Sequence, residues 1–266
     1  ETASGNISTG AISAENADVT IACVGLDAGL EGEEGDTGNE YFSGDKNDLN
    51  LPKSQITLLN AIEKTGKKFV TVLSVGSSLN VPQGNAQLLT WYPGQAGGKA
   101  LARILFGEIS PSGRLPVTFY HDVDDVPAFE NYDMKGRTYR YMTEEPLYPF
   151  GFGLSYTTFE YSDLKVDVKD KEYEVSVKVA NTGEYDADES VLVFTRSLSN
   201  VLVTPAIKKL RAFKRINLKK GESKTINFTL TNEDFSFIGV DMKRALPKDK
   251  VSVIVKDLTV EFNLVK

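Results

Sequence analysis

The feature that most constrains this chain is a change of hydrophobic period part-way along it. From Ala17 to about Phe119, short continuous apolar runs alternate with helical spacing. From Tyr161 onward the spacing is strictly two. A chain written in both patterns is expected to form an α/β layer followed by an all-β layer. Asp18–Gly25 is a short apolar run closed by glycine, as a buried parallel strand should be. Pro52–Lys64 follows as a helix, with Ile56, Leu58, Leu59 and Ile62 at helical spacing, Pro52 at its start and Gly66 past its end. Phe69–Val75 is the next strand, Leu88–Tyr92 a third, and Gly97–Phe106 a second helix. In the second half Tyr173–Val179, Glu189–Thr195, Ser223–Leu230 and Lys250–Lys256 alternate, with Asn181-Thr-Gly183 and Lys220-Gly-Glu222 as turns. Without a Cys…Trp…Cys spacing, this half is expected to be a β-sandwich of fibronectin type III kind rather than an antibody-type domain.

Between the halves, residues 121–160 crowd Pro, Gly and aromatics, from Tyr132 to Phe159. A flexible linker would be Gly/Ser-rich and poor in aromatics. An extended segment packed on one domain and leading into the next is expected instead. The organisation is therefore 1–120, 121–160 and 161–266.

Charge and composition exclude several classes of function. Residues 1–160 carry 11 Lys and Arg against 21 Asp and Glu, whereas 161–266 carry 19 against 16. An acidic first half does not suit nucleic acid, whose phosphates require a basic face. No apolar run is long enough to span a membrane. Lys208, Lys209, Arg211, Lys214, Arg215, Lys219 and Lys220 form the one basic cluster, and their alternation with apolar residues reads as a solvated strand face. Cys23, the single cysteine, lies inside Val19–Val24 and is expected to be a buried structural thiol. The chain begins at Glu1 with no initiator methionine and no signal-peptide pattern, so a fragment, a processed chain or a trimmed one is expected. Its compartment stays open.

The densest polar segment is Leu30-Glu-Gly-Glu-Glu-Gly-Asp36, directly after the first strand. Open α/β sheets place ligands at the carboxyl ends of their strands. Carboxylates there can serve as a general acid/base, bind a hard cation, or coat a loop. The spacing does not match a calcium loop. His121 is the only histidine, so this chain alone cannot assemble a multi-histidine metal centre. There is no G-x-S-x-G elbow, and Gly94-Gln-Ala-Gly-Gly98 lacks the P-loop lysine. Trp91, the sole tryptophan, is either core or a platform for an apolar sugar face.

Trp91-Tyr-Pro-Gly-Gln-Ala-Gly-Gly98, Leu105-Phe-Gly107, Pro111-Ser-Gly-Arg-Leu-Pro-Val-Thr118, Arg137-Thr-Tyr-Arg-Tyr141 and Leu147–Thr157 resemble, in order and spacing, the C-terminal half of glycoside hydrolase family 3. The resemblance runs from about residue 17 to 160, and the β-sandwich after it is similar to the family's fibronectin-like domain. It implies the later part of an (α/β)6 sandwich domain with a mainly parallel sheet, followed by that fibronectin type III-like domain. It also implies a general acid/base in the acidic segment: Glu31 is the candidate, with Glu33 and Glu34 as alternatives. Trp91 becomes a candidate for sugar binding. Where the family often has Gly-Asp-Arg, this chain has Gly44-Asp45-Lys46, and a lysine cannot make a planar, two-pronged contact.

The family's aspartate nucleophile lies on a (β/α)8 barrel that this sequence does not contain. The chain is thus expected to be one piece of a two-piece enzyme, partnered by a barrel-bearing second chain or cleaved fragment, with Thr2–Gly10 as a nicked exposed loop. The resemblance implies a retaining, exo-acting β-glycosidase needing no cofactor, hydrolysing terminal β-linked sugars of plant-derived oligosaccharides. A β-xylosidase is preferred over a β-glucosidase of the same family, and a non-catalytic carbohydrate-binding or structural module is the other alternative.

Overall fold

The computed structural model describes residues 3–31, 46–198, 203–248 and 250–265. They form two compact units, Glu1–Leu105 with Phe119–Val126 and Pro146–Tyr148, and Phe106–Thr118 with Pro127–Glu145 and Pro149–Lys266. The aromatic segment is thus shared between both.

The first unit is α/β. Its elements are α1 (Ala3–Glu15), β1 (Thr20–Gly25), α2 (Ala28–Glu31), α3 (Lys53–Glu63), β2 (Phe69–Ser74), β3 (Ala86–Leu89) and α4 (Gly97–Leu105). The three strands pair in parallel in the order β1-β2-β3, with Thr20 opposite Phe69 and Val70 opposite Ala86. Parallel neighbours need a crossover, and α3 supplies the one from β1 to β2. Pro52 precedes the first turn of α3, and Gly66 beyond its end takes a left-handed φ of 71°, which glycine adopts without a Cβ clash. Leu59 and Ile62 from α3, Val24 and Leu26 from β1 and its exit, and Phe69, Leu73 and Val75 from β2 and its exit share one buried cluster.

Two expectations fail here. Of the expected loop Thr2–Gly10, residues 3–10 are not exposed loop, because α1 covers Ala3–Glu15 and packs against α3, and Thr2 lies outside the described residues. Its Ser, Gly and Thr are poor helix formers, but Ile7, Gly10, Ala11 and Ala14 share a face, and Ala14 is fully buried. A Cβ on Gly10 would come within 2.7 Å of Leu58 Cδ1, so the small residues permit the close approach of the two helices. Nor is Cys23 buried: it is exposed, as are Val19 and Ile21 beside it. A strand alternates its faces, and among the described residues only the Ala22–Val24 face of β1 is covered. β1 is also an edge strand among those residues, paired with β2 alone. The third strand is displaced from its expected span, since Trp91 at φ 53° turns the chain out of the sheet.

The second unit is antiparallel. β4 (Phe159–Lys169), β5 (Glu172–Asn181) and β8 (Ser223–Thr231) form one sheet in the order β4-β5-β8. β6 (Ala187–Ser197), β7 (Lys209–Leu218), β11 (Lys250–Val255) and β12 (Leu258–Asn263) form the other in the order β12-β11-β6-β7. Short elements complete it: α5 (Thr138–Tyr141), α6 (Asn232–Phe235), β9 (Phe237–Ile238) and β10 (Arg244–Ala245). Every second residue of β5, from Tyr173 to Val179, joins a single core with Val191, Val193, Leu218, Leu230, Val251, Val253 and Val255. The period-two pattern therefore becomes two inner faces, as a sandwich requires.

The motifs of the first-half resemblance have structural work in this unit. Tyr139 stacks on Phe150 at 4.3 Å, and both rings stand edge-on to Phe194 of β6. The Arg137 guanidinium donates to the carbonyls of Asp133, Ala128 and Asn131, fixing the turn before α5. Arg114 is ion-paired with Glu189, which is 5% exposed, and the Tyr161 hydroxyl donates to the same carboxylate at 2.8 Å. Burial first, then the Glu189 charge, pushes the Tyr161 pKa well above its usual value. A phenol whose folded pKa is raised contributes stability that is complete below its unfolded pKa of about 10 and is lost as pH rises beyond it. Thermal midpoints measured across alkaline pH are expected to fall more steeply for the parent than for Tyr161→Phe. Parallel slopes would remove this linkage.

Candidate active site

The site is assembled where three parallel strands end together. β1 ends at Gly25, whose amide N–H donates to Gln55 Oε1 at 2.9 Å and whose carbonyl accepts from Gln55 Nε2 at 2.7 Å. This two-way clamp from α3 holds the strand end against its neighbour. The fit is close: a Cβ on Gly25 would stand 2.0 Å from the Ser74 carbonyl oxygen. Past Leu26, Asp27 accepts from the Leu30 amide at 2.8 Å and opens the single turn of α2, which ends on Glu31. At the neighbouring strand ends, Ser74 and Thr90 hydroxyls hydrogen-bond at 2.9 Å, and Thr90 also donates to the Leu73 carbonyl. Gly25→Ala is expected to destabilise the first unit by about 1–3 kcal/mol, the usual cost of overpacking. Because the displaced strand end carries α2, the hydrogen bond between Tyr92 and Glu31 should weaken with it. Chemical denaturation and amide hydrogen exchange over residues 25–31 check both effects.

Glu31 is half-buried at the end of α2. The Tyr92 hydroxyl, from the exit of β3, donates to Glu31 Oε2 at 2.8 Å. Gly76, past the end of β2, lies beneath both: a Cβ there would be 2.8 Å from the Tyr92 ring and 3.3 Å from Glu31 Oε2. Tyr92 has its pKa raised, first by partial burial and then by its bond to the Glu31 carboxylate and that carboxylate's charge, while the Gly76 backbone pulls the other way. It therefore remains a neutral donor at ordinary pH. Three strands thus contribute one carboxylate, one phenol and one open backbone position. Sequence reading missed Tyr92 and Gln55. The glycine closing β2 beside an aromatic pair closing β3 was the available signal for the former.

Glu33 and Glu34, the alternatives to Glu31, lie outside the described residues, as do Asp36, Gly44 and Asp45. Trp91 is half-buried, and its ring meets Phe119 edge-on at a centroid distance of 6.5 Å; Phe119 in turn meets Tyr148. It adjoins Tyr92 in the chain and sits in the left-handed region, a strain that structures keep at functional positions. Lys46 does not present a fork. Its ammonium donates to the Asn50 carbonyl at 2.6 Å and lies 3.4 Å from Asp48, bracing the chain before Leu51. Among the described residues no group of three or more His, Cys, Asp or Glu is placed to hold a metal ion. No helix among them is long and apolar enough to cross a membrane.

Comparison with known proteins adds a family to this geometry. The profile of the glycosyl hydrolase family 3 C-terminal domain matches residues 4–156, and that of the fibronectin type III-like domain matches residues 189–258. A xylan 1,4-beta-xylosidase of Xylanibacter ruminicola is 40% identical over 224 residues, covering 82% of this chain and 26% of that protein. A periplasmic beta-glucosidase of Salmonella typhimurium is 34% identical over 262 residues, covering 91% of this chain and 33% of that protein. The solved beta-D-glucoside glucohydrolase of Trichoderma reesei superposes with a TM-score of 0.86 at 26% identity, covering 97% of this chain and 42% of its own. The chain spans roughly a quarter to a third of the length of these curated relatives. With its α/β layer, its antiparallel sandwich and both family profiles in their order, the chain belongs to glycosyl hydrolase family 3.

Proposed function

We propose that this chain is the C-terminal portion of a retaining, exo-acting β-glycosidase, with Glu31 as its general acid/base. The observation that carries the reading is Glu31 at the carboxyl ends of three parallel strands, fixed by the Tyr92 hydroxyl. Retaining hydrolysis needs two carboxyl groups about 5–5.5 Å apart, one attacking the anomeric carbon and one protonating the leaving oxygen. Glu31 would give its proton to the departing oxygen and then take one from the water that releases the sugar. Tyr92 would hold one carboxyl oxygen and leave the other to face the glycosidic bond. The nucleophile would be an aspartate of a (β/α)8 barrel, on a second chain or a cleaved fragment. The open face of β1, with Val19, Ile21 and Cys23 exposed, supports further protein packing there.

A β-xylosidase is the preferred activity, supported by the 40% identity to a relative of that name. A β-glucosidase is the second reading, favoured by solved structures that carry that name at TM-scores up to 0.85. Denaturing mass spectrometry of natively purified material should show a second, larger polypeptide at equal stoichiometry. Aryl β-xyloside and β-glucoside hydrolysis should appear when both polypeptides are present, the xyloside faster. Glycan binding without hydrolysis in the assembled pair would replace the enzyme with a binding module.

A further inference from the structure

The basic cluster of the second half is not uniformly a solvated face. Lys214, Arg215, Lys219 and Lys220 are exposed, but Lys208, Lys209 and Arg211 are half-buried. Lys209 and Arg211 lie on β7, where the pairing with β6 skips Arg211. They line a cavity of about 280 Å³ contained within the second unit. Arg140 of α5 lines it too, and Phe235, Phe237 and Ile238 supply apolar wall. Among the described residues, no carboxylate is within ion-pairing distance of Arg140, Lys209 or Arg211. The nearby carboxylates are otherwise engaged. Glu233 lies 3.2 Å from Arg244, and Asp234, whose charge is felt by Arg211, accepts from the Thr231 amide at 2.8 Å in the cap of α6.

Arg211 carries the most direct sign of an unfilled role. Its Nη2 reaches the Ser236 carbonyl only at 3.4 Å, and its Nε is buried with no hydrogen-bond partner among the described residues. Buried polar groups in folded proteins are normally satisfied, so the guanidinium of Arg211, which borders the cavity, is left with unused donor capacity. Four cations, Arg140, Arg196, Lys209 and Arg211, line this one concavity and repel each other. Burial first, then the charges of Arg211, Arg140 and Arg244, lower the pKa of Lys209; burial also lowers that of Arg211, with Asp234 opposing it and Arg140 and Arg244 adding to it. A bound anion would relieve that repulsion.

We infer that this cavity of the fibronectin-like unit is a binding site for a small oxyanion, a carboxylate or phosphate carried on a molecule of about monosaccharide size. The size follows from the cavity volume, and the mixed lining of cations and aromatic wall suits a ring bearing one charged group. This site is separate from Glu31 and does not depend on the hydrolase reading, since binding to it is measured without any reaction.

The test is titration calorimetry of the whole 266-residue chain with glucuronate, with inorganic phosphate and with glucose. Glucuronate or phosphate is expected to bind at one equivalent, glucose is not, and added chloride should weaken the anion. Arg211→Gln and Lys209→Gln should each weaken binding about tenfold or more, the worth of one charge-assisted contact. Lys214→Gln, on the same strand but exposed, should leave it unchanged. Preference for glucuronate assigns the site to a uronic-acid carboxylate, and preference for phosphate assigns it to a phosphoryl group. If Arg211→Gln does not fold, Lys209→Gln at the half-buried position decides. Absence of binding by both anions, or binding that survives both substitutions, overturns the inference.

Discussion

On the proposed acid/base role of Glu31, Glu31→Ala, with the proposed barrel-bearing partner present, is expected to cut turnover of substrates with poor leaving groups by about 10²–10⁴, the span that a positioned general acid supplies. Activated aryl glycosides should lose far less in the first chemical step, because their leaving groups depart without a proton. Added azide should restore part of the turnover, since a small anionic nucleophile attacks the glycosyl-enzyme without needing a base. The asymmetry separates an acid/base from a residue that merely shapes the pocket. Equal losses on both substrate classes, with no azide effect, would move the role to Glu33 or Glu34 or remove it from this segment. Tyr92→Phe belongs in the same series. It deletes the hydroxyl that donates to Glu31 Oε2 while keeping the ring over Gly76, so a loss there reports the orientation of the carboxylate.

The second large effect concerns stability. Arg114 and Glu189 have side chains 12% and 6% exposed, and Tyr161 completes the cluster. Removing one partner of a buried ion pair leaves the other charge desolvated and uncompensated, which costs about 3–5 kcal/mol. Glu189→Ala should therefore destabilise the second unit by that amount, and Arg114→Ala by a similar one. The charge-free pair Arg114→Met with Glu189→Leu should recover much of the loss, because the penalty is the orphaned charge rather than the missing bridge. Denaturant unfolding of Arg114→Met, Glu189→Leu and their double variant supplies the cycle. A double variant as unstable as the sum of the singles would show that packing, not charge, sets the cost. Arg114 belongs to the Pro111–Thr118 block that resembles the family, so its place in that block is accounted for by structure rather than by chemistry.

Much of the second unit was legible because its rule is local. A strand with one face buried must alternate, and Tyr173–Val179 and Lys250–Lys256 do so in the sequence and in the core alike. The parallel strands were legible for a related reason, since a short apolar run closed by glycine has few other uses. What failed was the inference from apolar to buried. Val19–Val24 reads as a strand covered on both faces, yet Ile21 and Cys23 are exposed, because coverage depends on what packs against a strand and not on the strand itself. α1 was hidden for the converse reason. Its residues are weak helix formers, and its helix is stabilised by a face that fits α3, a partner more than forty residues away.

The candidate site divides the same way. The acidic segment after the first strand, the aromatic pair at the third and the family motifs were readable from residue type and spacing. That Tyr92 reaches Glu31 across 61 positions, that Gln55 clamps Gly25 across 30, and that Lys209 and Arg211 turn inward to a cavity while Lys214 stays in water were not. Sequence alone determined the period of each element, hence the α/β layer and the sandwich, because backbone geometry imposes those periods residue by residue; the family resemblance rested separately on its motifs. Only the tertiary structure decided which side chains meet, because hydrogen bonds and burial act over a few ångströms in space and carry no signature along the chain.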